Sequence, residues 1–291
     1  MHGIEETGMI AVILARLTGG KAIFEKHSDP FSYKKGFLKN CLLSVYAWVE
    51  KLTVRWTDGV IGTGPGLVQQ VNDMGTATPA FHIFDIPSSL VEPEQSNVDR
   101  VRKELVQQDN ELLITFVGSF AVYQGVDLLL ASIPLVVREN GDARFIIIGG
   151  TEEEINERKE NLQKDGVADS VTFLGKIAPD LLPDYLAASD ILLSPRTSGV
   201  NTPLKLLDYL KIGRPIVATD VVANRLILDD STSVLTPAEP SAMAKGIASL
   251  LDDPMRREKM GKKGRQLHEK KYNFKEYTKR LGDCYEQVLG E

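Results

Sequence analysis

The chain has 291 residues, 43% of them hydrophobic and 25% charged, with a formal net charge of −6. That is enough for two domains of roughly 100–200 residues each; without a global basic field only a local patch could hold nucleic-acid phosphates, and no nucleic-acid partner is expected. Cys41 and Cys284 lie far apart without zinc spacing; they read as buried thiols of a reducing compartment, which predicts a cytoplasmic protein. In the opening "MHGIEETGMIAVILARLTGG" a short apolar stretch is broken by Arg16 and preceded by Glu5 and Glu6 rather than by basic residues, which is not the pattern of a signal peptide. No stretch approaches the roughly 20 apolar residues of a membrane span.

In chain order, short β-branched runs alternate with amphipathic segments of helical length. Strands are expected at 21–27, 58–64, 77–84, 111–119, 143–150, 170–175, 190–195, 214–220 and 233–237. Near-continuous apolar strands separated by helices specify parallel sheets covered on both faces, an α/β architecture. From Ile86 to Val106 the text turns polar and Pro-containing, a connector ending in a short helix, which sets a domain boundary near 87–108. The later strands, to about residue 272, make a complete doubly wound domain; the three earlier ones make only part of one.

Within the first part, "FEKHSDP" (24–30) ends a strand with Glu25, Lys26, His27 and Asp29 close together. Polar residues at the carboxyl end of a parallel strand lie where α/β enzymes bind substrates, and His27 is a candidate acid, base or hydrogen-bond donor; a satisfied structural histidine is the alternative. His2, His82 and His268 show no metal spacing, and no metal site is expected. "GTGPG" (62–66) fails the G-x-G-x-x-G arrangement and reads as a turn before a helix with Pro65 at its start. Residues 33–56 combine Lys34, Lys35, Lys39, Lys51 and Arg55 with Trp48 and Trp56: either a helix on an anionic membrane surface or a core-packing helix with solvated lysines.

In the second part, "LLITFVGSFAVYQGVDLLLASI" (112–133) is a buried strand ending at Gly118, a loop with Gly125, and a helix opening at Val126-Asp127. Glycine at the strand end lets the backbone approach a phosphate, and the helix offers free amides and the positive end of its dipole; a tight turn that merely needs glycine is the alternative. "SDILLSPRTSGVNTPLKLLDYLKIGRPIVATD" (189–220) repeats this layout, with no acid between Pro195 and Leu207 and a lone Asp208 on the helix. Thr202 or Asn201 is expected to cap that helix, with Pro203 in its first turn. Asp208 is either a ribose-binding carboxylate or a surface acid.

The blocks "FVGSF…QGVDLLLASI", "ARFIIIGG", "VTFLGKI…LLPDYLAASDILLSP", "NTPLKLLDYLKIGRPIVATD" and the tail "LLDDPMRREKMGKKGRQLHEKKYNFKEYTKRL", in that order, resemble the C-terminal half of family 4 glycosyltransferases over about residues 108–290. More weakly, "MHGIEE", "FEKHSDP" and "RWTDGVIGTGPGLVQQV" resemble the later part of that family's N-terminal domain. The resemblance implies a GT-B-like α/β fold of two Rossmann-like domains with parallel sheets, the N-terminal one incomplete. The expected parts are an acceptor-side domain at 1–90, a nucleotide-sugar-binding domain at 91–272, and a terminal helix at 273–291 packing back on the first domain. The chain is expected to begin mid-domain, as a truncation or as a reduced relative.

The same resemblance implies a retaining, metal-independent glycosyltransferase, with a nucleotide-diphosphate sugar as substrate rather than any cofactor and a glycan, lipid or small-molecule acceptor. Cytoplasmic location, with peripheral contact at the inner membrane face, would suit it. His27 matches the family's catalytic-region histidine. Gly118, Ser119, Gln124, Gly149, Lys176, Ile177, Asn201, Thr202, Lys205 and Asp208 fall at donor-side positions. Gly175, Lys176 and Ile177 match the stretch whose backbone lies against the base. There are departures: Ser119 and Gln124 stand where the family has an Arg and a Lys on the diphosphate, and of its pair of Glu residues the first is Val200 and the second Asp208. Arg196 or Lys205 is expected to restore the positive charge, with the amides and hydroxyls of Asn201 and Thr202. A non-catalytic nucleotide-sugar-binding or scaffold subunit and, more weakly, a sugar-nucleotide epimerase are the rival functions.

Overall fold

The structure, a computed structural model, describes residues 1–28, 37–199 and 202–290, with the backbone alone for 37–40. Asp29, Lys34, Lys35, Val200 and Asn201 lie outside the described residues, as does the Lys39 side chain. The chain divides into two compact units: Met1–Ile86 with Val200–Thr202 and Tyr272–Glu291, and Pro87–Gly199 with Pro203–Lys271.

The first unit runs β1 (His2–Ile4), α1 (Gly8–Thr18), β2 (Ile23–Lys26), α2 (Phe37–Trp56), β3 (Gly59–Gly62), α3 (Pro65–Asp73) and β4 (Ala80–His82). Its strands pair in parallel in the order β1-β2-β3-β4. β1 was not expected: three residues containing a glycine leave no alternation to read, and its register is set by Ile23, Phe24 and Glu25 across the ladder. Both β2 and β3 are buried throughout. A buried ion pair, Lys26 Nζ to Glu50 Oε1 at 2.7 Å, joins β2 to α2. α2 buries Glu50, Thr53 and Val54 but exposes Leu42, Val45 and Trp48, while Trp56 lies under the Arg16 guanidinium at 5.2 Å. Cys41, expected buried, is exposed on this helix; Cys284 is buried. Among the described residues no helix is long and apolar enough to cross a membrane.

The second unit opens with α4 (Gln95–Leu105) and continues β5 (Leu112–Val117), α5 (Val126–Glu139), β6 (Ala143–Ile148), α6 (Glu152–Lys164), β7 (Val171–Gly175), α7 (Leu182–Ala188), β8 (Ile191–Ser194), α8 (Leu204–Ile212), β9 (Ile216–Thr219), α9 (Val222–Arg225), β10 (Ser233–Thr236), α10 (Pro240–Leu251) and α11 (Pro254–Lys271). All strand pairs are parallel, in the order β10-β9-β8-β5-β6-β7. Leu113, Ile114, Phe116, Ile146, Ile147, Ile191, Leu192 and Leu193 are essentially without exposure, as expected of strands covered by helices on both faces. Local signals agree with the ends: Thr151 and Glu154 form a capping box on α6, and Gly213 closes α8 in the left-handed conformation.

The chain then returns to the first unit as α12 (Phe274–Leu289), capped by Asn273, whose side chain accepts the Glu276 N–H. Cys284 and Val288 of α12 pack with Ile23, Ile61 and Ile83. Apolar residues three and four apart, Tyr277, Leu281, Cys284, Tyr285 and Val288, give this helix one apolar face, which accounts for the docking.

Candidate functional site

In the second unit the strand order reverses between β5 and β8: β5 continues to β6 on one side, and β8 continues to β9 on the other. The loops leaving their carboxyl ends run in opposite directions and open a crevice, the usual ligand position of a doubly wound sheet. The last ladder partners are Phe116 and Leu193. Beyond them the buried Tyr209 of α8 takes over, its hydroxyl donating to the Leu193 carbonyl and accepting from the Val117 N–H, both at 3.1 Å.

The two loops are locked together at their base. Gly125 has φ +71°, and a Cβ there would sit 1.8 Å from the Pro195 carbonyl oxygen, so only glycine permits the approach. The Thr197 N–H donates to the Tyr123 carbonyl at 3.0 Å, and the Arg196 guanidinium lies 5.0 Å from the Tyr123 ring while its Nε donates to the Ser198 carbonyl. Gly149, with φ +120°, brings the end of β6 against the Gly118 carbonyl, where a Cβ would approach to 1.9 Å.

Into this crevice projects Lys205. Its stem is half-exposed, but its Nζ is buried and has no hydrogen-bond partner among the described residues. The Nζ stands 4.3 Å from the Phe116 ring centroid and 2.9 Å from the point a Cβ on Gly118 would occupy. Gln124 Oε1, also buried and without a partner among the described residues, lies 3.5 Å from that same point. Burial, and then the charge of Arg196, pull the Lys205 ammonium down to a pKa of about 7. A buried amine without an acceptor among the described residues, beside a glycine at the end of a parallel strand and close to Gln124 in the loop before α5, is an arrangement that can accept an anion.

The other expected donor-side residues distribute as follows. Ser119 and Lys176 are exposed, and Ile177 packs on the cluster of Leu113, Ile146 and Ile148. Thr202 does not cap α8: Pro203 holds the cap position with extended backbone and no side-chain cap bond, so the helix starts one residue later than the sequence suggested. The Thr202 hydroxyl belongs to the first unit and has no partner among the described residues. Asp208 is 7% exposed, and both its oxygens are engaged by Ser88, from the backbone N–H at 2.8 Å and from the hydroxyl at 2.7 Å. Burial raises the Asp208 pKa against these hydrogen bonds. In this arrangement its carboxylate holds the segment entering the second unit.

His27, in the first unit, sits in a charged cluster that sequence reasoning only partly found. Its Nε2 is 2.7 Å from Glu25 Oε1, and its Nδ1 is 3.9 Å from Asp85 Oδ1. The other oxygen of Glu25 is 2.8 Å from His2 Nε2, and the His2 Nδ1 is 2.6 Å from the Tyr285 hydroxyl. Burial pushes the Glu25 carboxyl up, but hydrogen bonds from His2 and His27 and the charge of both rings outweigh it and bring the pKa to about 2. The hydrogen bond to Glu25 raises the His27 pKa against burial, while burial pushes Asp85 up to about 6. Glu5, at φ +49°, accepts from the His27 N–H, the Ser28 hydroxyl and the Tyr46 hydroxyl. Lys26, expected beside His27, points to the opposite face of the sheet, as strand alternation requires.

The family description "Glycosyl transferases group 1" matches residues 111–253. The chain is 26% identical to the alpha-D-kanosaminyltransferase of Streptomyces kanamyceticus over 62% of its length and 47% of that relative. It is 27% identical to a GDP-mannose-dependent monoacylated alpha-(1-6)-phosphatidylinositol monomannoside mannosyltransferase of Corynebacterium glutamicum over 82% of its length and 61% of that relative. Thus it spans about half the length of several relatives it matches. Sucrose-phosphate synthase of Thermosynechococcus elongatus superposes with a TM-score of 0.82 at 21% identity, covering 99% of this chain and 73% of that one. Anabaena HepE in complex with UDP superposes with 0.83 at 14% identity, covering 98% and 79%. The match over residues 111–253 and the two parallel-sheet units together give the chain the GT-B type of fold, with its second unit similar to the glycosyl transferases group 1 domain.

Proposed function

We propose that the chain is a glycosyltransferase that takes a sugar from a nucleotide-diphosphate donor held at the β5/β8 crevice and passes it, with retention, to a glycan, lipid or small-molecule acceptor. The observation that carries this reading is the buried Nζ of Lys205 at Gly118, which has no acceptor among the described residues. It supplies the positive charge that Ser119 and Gln124 lack, where the leaving diphosphate needs stabilisation. Support for the ligand class comes from HepE, of like fold, in complex with UDP and with UDP-glucose, and from relatives whose names describe sugar transfer to lipid acceptors. His27, fixed by Glu25, is assigned the contact to the donor sugar, and no metal is given a role.

Both oxygens of Asp208 being engaged by Ser88 favours a second reading, a subunit that binds donor without transferring it. Nucleotide release from UDP-glucose, GDP-mannose and ADP-glucose separates the two. Slow hydrolysis of one donor series, reduced at least ~10-fold in Lys205→Met and in His27→Ala, is the expected result. Binding of a donor without release of nucleotide would overturn the transferase assignment.

A further inference from the structure

The Lys205 amine lies in surroundings that offer its charge no hydrogen-bond partner among the described residues. Lys205 Nζ has no carboxylate, carbonyl or hydroxyl acceptor among the described residues. What surrounds it is the Phe116 ring from β5, the neutral Gln124 from the loop before α5, and the like charge of Arg196 from the loop after β8. On its own helix, Asp208 is committed to Ser88 and the Tyr209 hydroxyl to Val117 and Leu193. An aromatic face attracts a cation far too weakly to repay what removing an ammonium from water costs. These surroundings therefore shift the balance toward the neutral amine relative to water, and a doubly charged diphosphate shifts it back toward the ammonium.

Resting on the diphosphate assignment above, we propose that donor binding is coupled to the uptake of one proton at Lys205, so that the site senses pH through the occupancy of its donor. Free amine plus a proton from solvent gives the ammonium, which then donates hydrogen bonds to the diphosphate oxygens; no covalent bond changes. The neutral form dominates the empty site above pH 7, given the pKa of about 7, and affinity then falls by about tenfold per pH unit.

Isothermal titration of the full chain with UDP-glucose and with GDP-mannose, in paired buffers of low and high ionisation enthalpy, counts the protons. These diphosphate diesters have no proton of their own to exchange near neutrality, so any uptake belongs to the protein. Uptake approaching one proton per donor at pH 8, vanishing near pH 5.5, is expected. Lys205→Arg, charged at every pH, should bind without uptake, and Lys205→Met should lose both uptake and most of the affinity. Donor binding with no buffer dependence, or uptake that persists in Lys205→Arg, overturns the proposal and leaves the diphosphate reading standing. Absence of binding by any sugar nucleotide overturns the reading and the proposal with it.

Discussion

At the scale of single residues, the same side-chain chemistry is set to opposite ends by its surroundings. Glu25 accepts from two histidines and is held at a pKa of about 2; Asp85, buried beside the same His27, is pushed up to about 6. The signs for stability follow. Glu25 is depressed in the folded state, so its contribution is present above about pH 4.5 and is lost as pH falls toward 2. His27 is raised, so its contribution is complete below its unfolded value near 6.5 and is lost as pH rises through the folded one. In Glu25→Gln the His27 imidazole should titrate at or below the ordinary histidine range instead of above it, as read from its ring-carbon NMR shifts. An unchanged His27 titration would show that Glu25 does not set its charge. His27 and Glu25 were legible in "FEKHSDP"; His2, Asp85 and Tyr285 were not, because parallel pairing and the return of α12 bring them in from distant parts of the chain.

At the scale of elements, α8 does three jobs at once. Lys205 reaches the crevice, Tyr209 bridges the ends of β5 and β8, and Asp208 with Lys211 holds the segment from Ser88 to Val91, the Lys211 ammonium donating to the Ser89 and Val91 carbonyls. Periodicity shows that a helix is there and cannot show which of its polar residues points to ligand and which to the neighbouring loop. Asp208 was the residue expected to face a ribose, and its observed bonds go to Ser88. Ser88 is exposed, so water can replace part of what the carboxylate provides, and Asp208→Ala should cost about 1–2 kcal/mol of stability. Denaturant unfolding followed by circular dichroism measures it. A variant as stable as the parent would mean that the Ser88 contacts contribute nothing to folding.

For the whole molecule, the alternation of apolar strands and helices announced two parallel-sheet units, and the division of the chain falls between Ile86 and Pro87. The sequence pattern also pointed to Gly118 and to the loop ahead of α8. What it could not supply was the crossing of strand order that makes β5 and β8 neighbours, and so which of the two candidate cations, Arg196 or Lys205, would stand without a partner at their carboxyl ends. Their contacts separate them, since Arg196 is engaged with Ser198 and Tyr123 whereas the Lys205 Nζ has no acceptor among the described residues. The most direct measurement is calorimetric titration of the parent chain and of Lys205→Met with UDP, GDP and ADP at pH 6.5. One nucleotide should bind the parent, with affinity weakened in the variant by about 10- to 100-fold, the worth of one charge-assisted contact to phosphate. Equal affinity in the two proteins, or no binding of any nucleotide to the parent, would contradict a diphosphate site at the β5/β8 crevice.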